Sequence, residues 1–117
     1  KVLLEVLERS VSVYPRESGG FLQVSGLSFV FDPARPPGQR VLRVVVGGEP
    51  LDPERRYKLA TNSYTAGGGD GYAMLATAKP LVFPEDGPGL AETLLEAIER
   101  AGVIAPATEG RITRTGP

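Results

Sequence analysis

Apolar residues recur at helical spacing over the first dozen positions, where Leu3, Val6, Leu7 and Val11 form one stripe and Glu5, Glu8 and Arg9 lie on the other side. This pattern predicts an opening amphipathic helix of about three turns. No Ser, Thr, Asp or Asn precedes Lys1 to cap it, so the polypeptide is expected to extend upstream. A connector from Tyr14 to Gly20, containing Pro15, Gly19 and Gly20, ends the helix. The pattern then changes. Phe21 to Gly26 and Leu27 to Phe31 are rich in β-branched and aromatic residues and predict two strand segments bent at Ser25-Gly26. Phe29 and Phe31 alternate with Val30 and are assigned to the core. Asp32 to Gln39, with three prolines, predicts a surface loop, and the nearly all-apolar run Val41 to Val46 a central strand.

Gly47-Gly48 and Leu51-Asp52-Pro53 mark turns, and Tyr57 to Thr61 alternates as a further strand would. Leu81 to Phe83 reads as a short strand between Pro80 and Pro84. Leu90, Leu94, Ile98 and Ala101 line one face of a second helix, which Gly102 is placed to end. Arg111 to Arg114 is a candidate last strand. Helix, several strands, then helix is an α+β order, a mixed β-sheet with flanking helices.

The chain has 117 residues, enough for one domain with a real core. A formal charge of −1 gives no net attraction toward a nucleic-acid polymer or an anionic membrane, and no apolar run reaches the roughly 20 residues of a membrane helix. There is no cysteine and no histidine. Imidazole is the usual ligand of catalytic transition metals and the usual base for a serine nucleophile, so most hydrolytic machinery has no residues to use here. No close pair of carboxylates stands in an apolar stretch that would hold one proton between them. No catalytic residue and no metal ligand is assigned.

The stretch Thr61-Asn62-Ser63-Tyr64-Thr65-Ala66-Gly67-Gly68-Gly69-Asp70-Gly71-Tyr72 carries the candidate chemistry. So many glycines let the backbone pass close to a ligand, at a large entropic cost when ordered. Asp70 stands between glycines, and a carboxylate so presented can accept two hydrogen bonds from a vicinal diol such as that of ribose. Tyr64 supplies an aromatic plane for a heterocyclic base. Tyr64, Asp70, Gly68, Gly69 and Asn62 are therefore the candidate substrate-binding residues. On the residues alone the plainer reading stays open: an Asp that closes its own turn and an aromatic that packs in the core. Arg55-Arg56 could meet a phosphate or occupy a solvated turn, and the turn is the expectation.

Several segments in order resemble the C-terminal domain of the 5′-nucleotidase family: Gly20 to Leu27, the proline-rich Asp32 to Arg40, Pro50-Leu51-Asp52-Pro53 leading to Tyr57 through Asn62, then the Gly-Gly-Gly-Asp-Gly-Tyr run, and Glu109-Gly110-Arg111-Ile112. The resemblance implies that residues 1–117 are part of such a nucleotide-binding domain. It implies a partner N-terminal catalytic domain holding two divalent metal ions, a nucleotide or nucleoside substrate, and an extracytoplasmic location. It also implies that the aromatic at Tyr64 stacks on the base and that Asp70 binds the ribose hydroxyls. Members of the family usually have phenylalanine where this chain has Tyr64. A glycine-rich segment with an asparagine and an arginine, and a second aromatic for the clamp, are expected upstream of Lys1. Two alternatives stand beside this: a non-catalytic binding or interaction module with the same fold, and a family branch acting on a non-nucleotide substrate.

Overall fold

In the computed structural model, which describes residues 1–116, the opening amphipathic stretch forms helix α1, Val2–Val11, with no side-chain cap at Lys1. The chain divides into two units. One comprises Lys1–Thr77 with the segment from Glu109 onward, and the other Ala78–Thr108.

The first unit is built on a sheet of β1 (Leu27–Phe31), β2 (Val41–Val46), β3 (Glu49–Pro50) and β4 (Ile112–Arg114), in the order β3-β2-β1-β4. β1 runs antiparallel to β2, with Phe29 opposite Val44, and parallel to β4, with Phe29 opposite Ile112. The sheet is therefore mixed, as expected. The turn between β2 and β3 needs left-handed backbone at two successive positions, and Gly47 (φ 59°) and Gly48 (φ 88°) supply it. Pro50 lies on the edge strand, where a missing N–H breaks no ladder. The Asp32 to Gln39 segment is a loop, opened by the Asp32 carboxylate accepting from the Ala34 amide at 2.9 Å.

Helix α1 joins two apolar clusters. Leu7 and Val11 pack with Phe29, Phe31 and Val44 of the sheet. Val6, on the neighbouring face, packs with Tyr72 and Leu75 from the far end of the glycine-rich segment. One ten-residue helix thus ties the candidate site to the sheet.

Glu8, read as solvent-facing, is buried, because the sheet end needs an acceptor there. Its carboxylate accepts from the amides of Arg40 (3.1 Å) and Val41 (2.7 Å), where β2 starts. Arg40 answers by donating from its guanidinium to the carbonyls of Val11 (2.6 Å), Ser12 (3.0 Å) and Tyr14 (3.2 Å), closing the end of α1.

Three expected strands are absent among the described residues. Phe21 to Val24 is irregular, because its backbone groups go to side chains. Ser10 Oγ accepts from the Leu22 amide at 2.8 Å, and the Val24 carbonyl accepts from Arg111 at 2.6 Å. Tyr57 to Thr61 alternates correctly but has no neighbouring strand to pair with, and Leu59 is exposed. Its Tyr57 hydroxyl instead accepts from the Asp52 amide at 2.9 Å, and the Arg55 guanidinium lies 5.5 Å from that ring's centre. Leu81 to Phe83 leads into a short 3₁₀ turn, Pro84–Asp86, in place of a strand.

The second unit holds that turn and a twelve-residue helix, Leu90–Ala101, ended by Gly102 at φ 74°. The apolar stripe foreseen on it is present, but Leu90, Leu94, Leu95 and Ile98 are exposed.

Tyr72 is the largest fully buried side chain, 1 % exposed, and its hydroxyl donates to the Gly20 carbonyl. Burial pushes its pKa above the ordinary value of 10.0, outweighing Ser10 and the positive charge of Arg9, while Asp70 adds to the rise. A raised folded-state value means that the neutral phenol stabilises the fold below the unfolded value and that this contribution is lost as pH climbs through the folded one.

Two outcomes are expected. Glu8→Ala leaves two partly buried amides without their acceptor and should cost about 1–3 kcal/mol in denaturant titrations. Glu8→Gln, which keeps one acceptor oxygen, should cost less. The unaltered protein should lose stability progressively above pH 10, measured by denaturation midpoints, whereas Tyr72→Phe, itself slightly less stable at neutral pH, should show a flatter alkaline limb.

Candidate functional site

The glycine-rich segment is a chain of short helical turns. Asn62 starts the first, α2 (Ser63–Ala66), its side-chain oxygen accepting from the Thr65 amide at 2.8 Å as an N-cap. A 3₁₀ turn over Gly69–Gly71 follows, and then α3, Ala73–Ala76. Left-handed backbone at Gly68 (φ 97°), Asp70 (φ 54°, ψ 25°) and Gly71 (φ 82°) reverses the chain between them. Two glycines take this conformation freely, but Asp70 does so against a penalty of about 1–2 kcal/mol. It is the only non-glycine residue with positive φ among the described residues.

Tyr64 and Asp70, six positions apart, are brought together. The Tyr64 hydroxyl donates to Asp70 Oδ1 at 3.1 Å, and both side chains are exposed. Tyr64 is not part of the core: 62 % of its surface is open. Its ring lies against Gly69, where a β-carbon would come within 2.5 Å of the ring atoms Cε1 and Cζ. Gly69 therefore has a steric reason to be glycine, since any side chain would push the ring off the loop. Gly68 is also confined, with a β-carbon there 3.3 Å from the Ala73 backbone.

The result is a flat ring seated on the backbone and a carboxylate fastened at its hydroxyl end. Asp70 retains a second oxygen and free lone pairs on the first, so it can still accept from two neighbouring hydroxyls. Asn62 stands at the start of the same segment with its side-chain oxygen engaged in the cap and its amide donors available. Half of the bonding capacity of this fifth predicted residue is thus used by the fold.

Support for the loop comes from residues to which sequence reasoning gave no role. Gly20 is buried, and a β-carbon there would lie 3.6 Å from that of Asp70. Its carbonyl takes the Tyr72 hydroxyl. Arg9 lies against Gly71 and 5.9 Å from the centre of the Tyr72 ring. Ser10, a polar residue among the apolar positions of α1, was the one visible signal that this helix face does more than pack.

Histidine and cysteine are lacking, and among the described residues no group of three or more His, Cys, Asp or Glu stands close enough together to hold a metal. The donor set does not fit the two divalent ions that the resemblance implies, and what the arrangement offers is binding and orientation.

The chain is similar to known proteins in sequence and in fold. The model of the family described as "5′-nucleotidase, C-terminal domain" matches residues 1–77. The 5′-nucleotidase of Diplobatis ommata is 36 % identical over 118 residues, covering 94 % of this chain and 20 % of that protein. The human 5′-nucleotidase is 34 % identical over the same shares, and "Protein 5NUC" of Lutzomyia longipalpis is 40 % identical over 98 % of this chain and 22 % of its own length. Among solved structures, the 5′-nucleotidase precursor of Thermus thermophilus superimposes with a TM-score of 0.88 at 37 % identity, covering 99 % of this chain and 24 % of that one. A Staphylococcus aureus structure, named as a putative 5′-nucleotidase, shares the fold, with a TM-score of 0.74 at 23 % identity. The chain spans about a fifth of the length of these curated relatives. With its mixed sheet, flanking helices and glycine-rich turn, the chain belongs to the 5′-nucleotidase C-terminal domain family.

Proposed function

We propose that this chain is the substrate-binding portion of an extracytoplasmic 5′-nucleotidase that hydrolyses nucleoside phosphates to nucleoside and phosphate. The observation behind the reading is the pairing of Tyr64 and Asp70 on one ordered turn, with the aromatic face and the carboxylate both open to solvent.

A base laid on the free face of Tyr64 gains roughly 1–3 kcal/mol of stacking. The attached ribose then lies toward the hydroxyl end of the ring, where Asp70 accepts from its two hydroxyls. Gly69 leaves room for the ring against the turn and Gly68 lets the turn close behind it. Held at base and sugar, the substrate has its phosphate directed away from the turn, so binding here converts a collision into an oriented encounter with a reacting group. Residues 1–117 would thus form part of a nucleotide-binding domain.

The chemistry itself belongs to another part of the intact polypeptide, an N-terminal catalytic domain with two divalent ions, since the donor set of this chain does not fit them. A second aromatic from upstream residues would complete a clamp around the base, in keeping with Tyr64 standing on open surface. The extracytoplasmic location is supported by relatives named as snake venom 5′-nucleotidases, one 37 % identical over 94 % of this chain. No helix among the described residues is long and apolar enough to cross a membrane.

Asp70→Ala in the intact polypeptide tests the reading. Loss of hydrogen bonds to a charged group should raise KM for a nucleoside monophosphate about 10- to 100-fold. The KM and kcat for a small aryl phosphate, which has no ribose, should stay almost unchanged. Equal losses on both substrates would contradict the ribose role.

A further inference from the structure

Arg9 is a charged side chain that reaches the Asp70 turn from another element, and neither the packing of the core nor the proposed contacts with substrate use it. Its guanidinium is anchored at the end of α1, where Nη1 donates to Ser12 Oγ at 2.8 Å and that hydroxyl donates in turn to the Arg9 carbonyl at 2.8 Å. From there the plane lies against Gly71. A β-carbon on Gly71 would come within 2.5 Å of Nε, 3.0 Å of Nη2 and 3.1 Å of Cζ. The same group stands 5.9 Å from the centre of the Tyr72 ring. Arg9 thus lies against Gly71 and faces Tyr72, the two residues that directly follow Asp70.

From this arrangement we infer that Arg9 is a positioning residue for the Asp70 carboxylate, acting as a flat wedge that holds Gly71 and Tyr72 in the one arrangement that keeps Asp70 left-handed. Asp70 has φ 54°, a conformation that an L-residue leaves unless its neighbours are fixed. Tyr72 is fixed on one side by its bond to the Gly20 carbonyl, and Gly20 also limits where the Asp70 β-carbon can go. The other side is closed by Arg9, whose guanidinium supplies the three atoms nearest a β-carbon on Gly71. Arginine suits the place because its guanidinium is planar and can lie flush on a Cα while facing an aromatic ring. Lysine has the charge but not the plane. Gly71 is glycine for a reason separate from ligand binding: its φ of 82° strains any side chain, and a β-carbon there would displace the Arg9 guanidinium.

The loop-holding role is independent of the ligand, and only its consequence for affinity rests on the substrate reading given above. Both are measured in the intact polypeptide, comparing the unaltered protein with Arg9→Met and Arg9→Lys. The first readout, without ligand, is hydrogen exchange at the Tyr72 amide, which donates to the Gly69 carbonyl at 3.1 Å, against the amides of the β1–β2 ladder. Arg9→Met removes both the cation–π interaction with Tyr72 and the planar packing on Gly71, so it should speed exchange at Tyr72 at least about threefold and leave the ladder unchanged. Arg9→Lys should fall between the two. The second readout is equilibrium titration with adenosine and 2′-deoxyadenosine. Arg9→Met should weaken adenosine by a similar factor and 2′-deoxyadenosine by less, since only the ribose uses both hydrogen bonds of Asp70.

Unchanged exchange at Tyr72, or the same acceleration in loop and ladder, would overturn the inference and leave Arg9 a general packing residue. Faster exchange with unaltered preference for ribose would overturn its link to Asp70. Were the unaltered protein to bind neither nucleoside, the substrate reading would fail, and the exchange comparison would still decide whether Arg9 holds the turn.

Discussion

The left-handed backbone of Asp70 is the constraint on which the site depends. A carboxylate in ordinary extended or helical backbone at that position would leave the turn in another direction, and its hydrogen bond with Tyr64 could not form. The conformation costs free energy that the residue itself cannot recover, so the neighbours must hold it. They do so through the buried Tyr72 hydroxyl on the Gly20 carbonyl, through glycines on either side, and through helix α1, whose residues reach both the sheet and the loop. Sequence, fold and site meet in that helix. Leu7 and Val11 fasten it to β1 and β2, Glu8 ties it to the start of β2, and Val6, Arg9 and Ser10 face the turn that presents Asp70.

The elements that show in the sequence are those whose cause is local. The stripe of Leu3, Val6, Leu7 and Val11 specifies α1 by period alone, and Gly47-Gly48 specifies a tight reversal by the φ values that only glycine takes easily. Phe29 and Phe31 were legible as core because alternation on a strand with one buried face admits few other readings. What failed was β-propensity without a partner. Tyr57 to Thr61 and Phe21 to Gly26 have the composition of strands, yet a strand exists only where a second one accepts its hydrogen bonds, and sequence does not say where that one lies. Glu8 and Arg9 were hidden for a similar reason. On a helical wheel they fall on the polar side, and only the position of β2 and of the glycine-rich turn shows that this side is also covered.

The site was legible as a composition and opaque as a geometry. Gly68, Gly69, Asp70 and Tyr64 could be named because so many glycines around an acid and an aromatic have few structural uses. The hydrogen bond between Tyr64 and Asp70 could not be read, because a separation of six residues spans many distances until the turns between them are known. Phenylalanine, usual at this position in the family that the sequence resembles, would leave the Asp70 carboxylate without this hydrogen bond. The Tyr64 hydroxyl therefore joins the exposed ring and the acid into one unit, in which moving the ring also moves the carboxylate. Gly69 shows the same dependence, since its need to be glycine comes from a ring five positions earlier lying across it.

The central claim is that Asp70 recognises a vicinal diol on a nucleoside seated against Tyr64. Calorimetric titration of the intact polypeptide with adenosine, 2′-deoxyadenosine and 3′-deoxyadenosine, repeated with Asp70→Asn, measures this most directly. Each deoxy compound should bind the unaltered protein about 5- to 20-fold more weakly than adenosine, from the loss of one charge-assisted hydrogen bond, and the difference should largely vanish in Asp70→Asn. Equal affinity for the three compounds in the unaltered protein, or a preference for ribose that survives in Asp70→Asn, would contradict it.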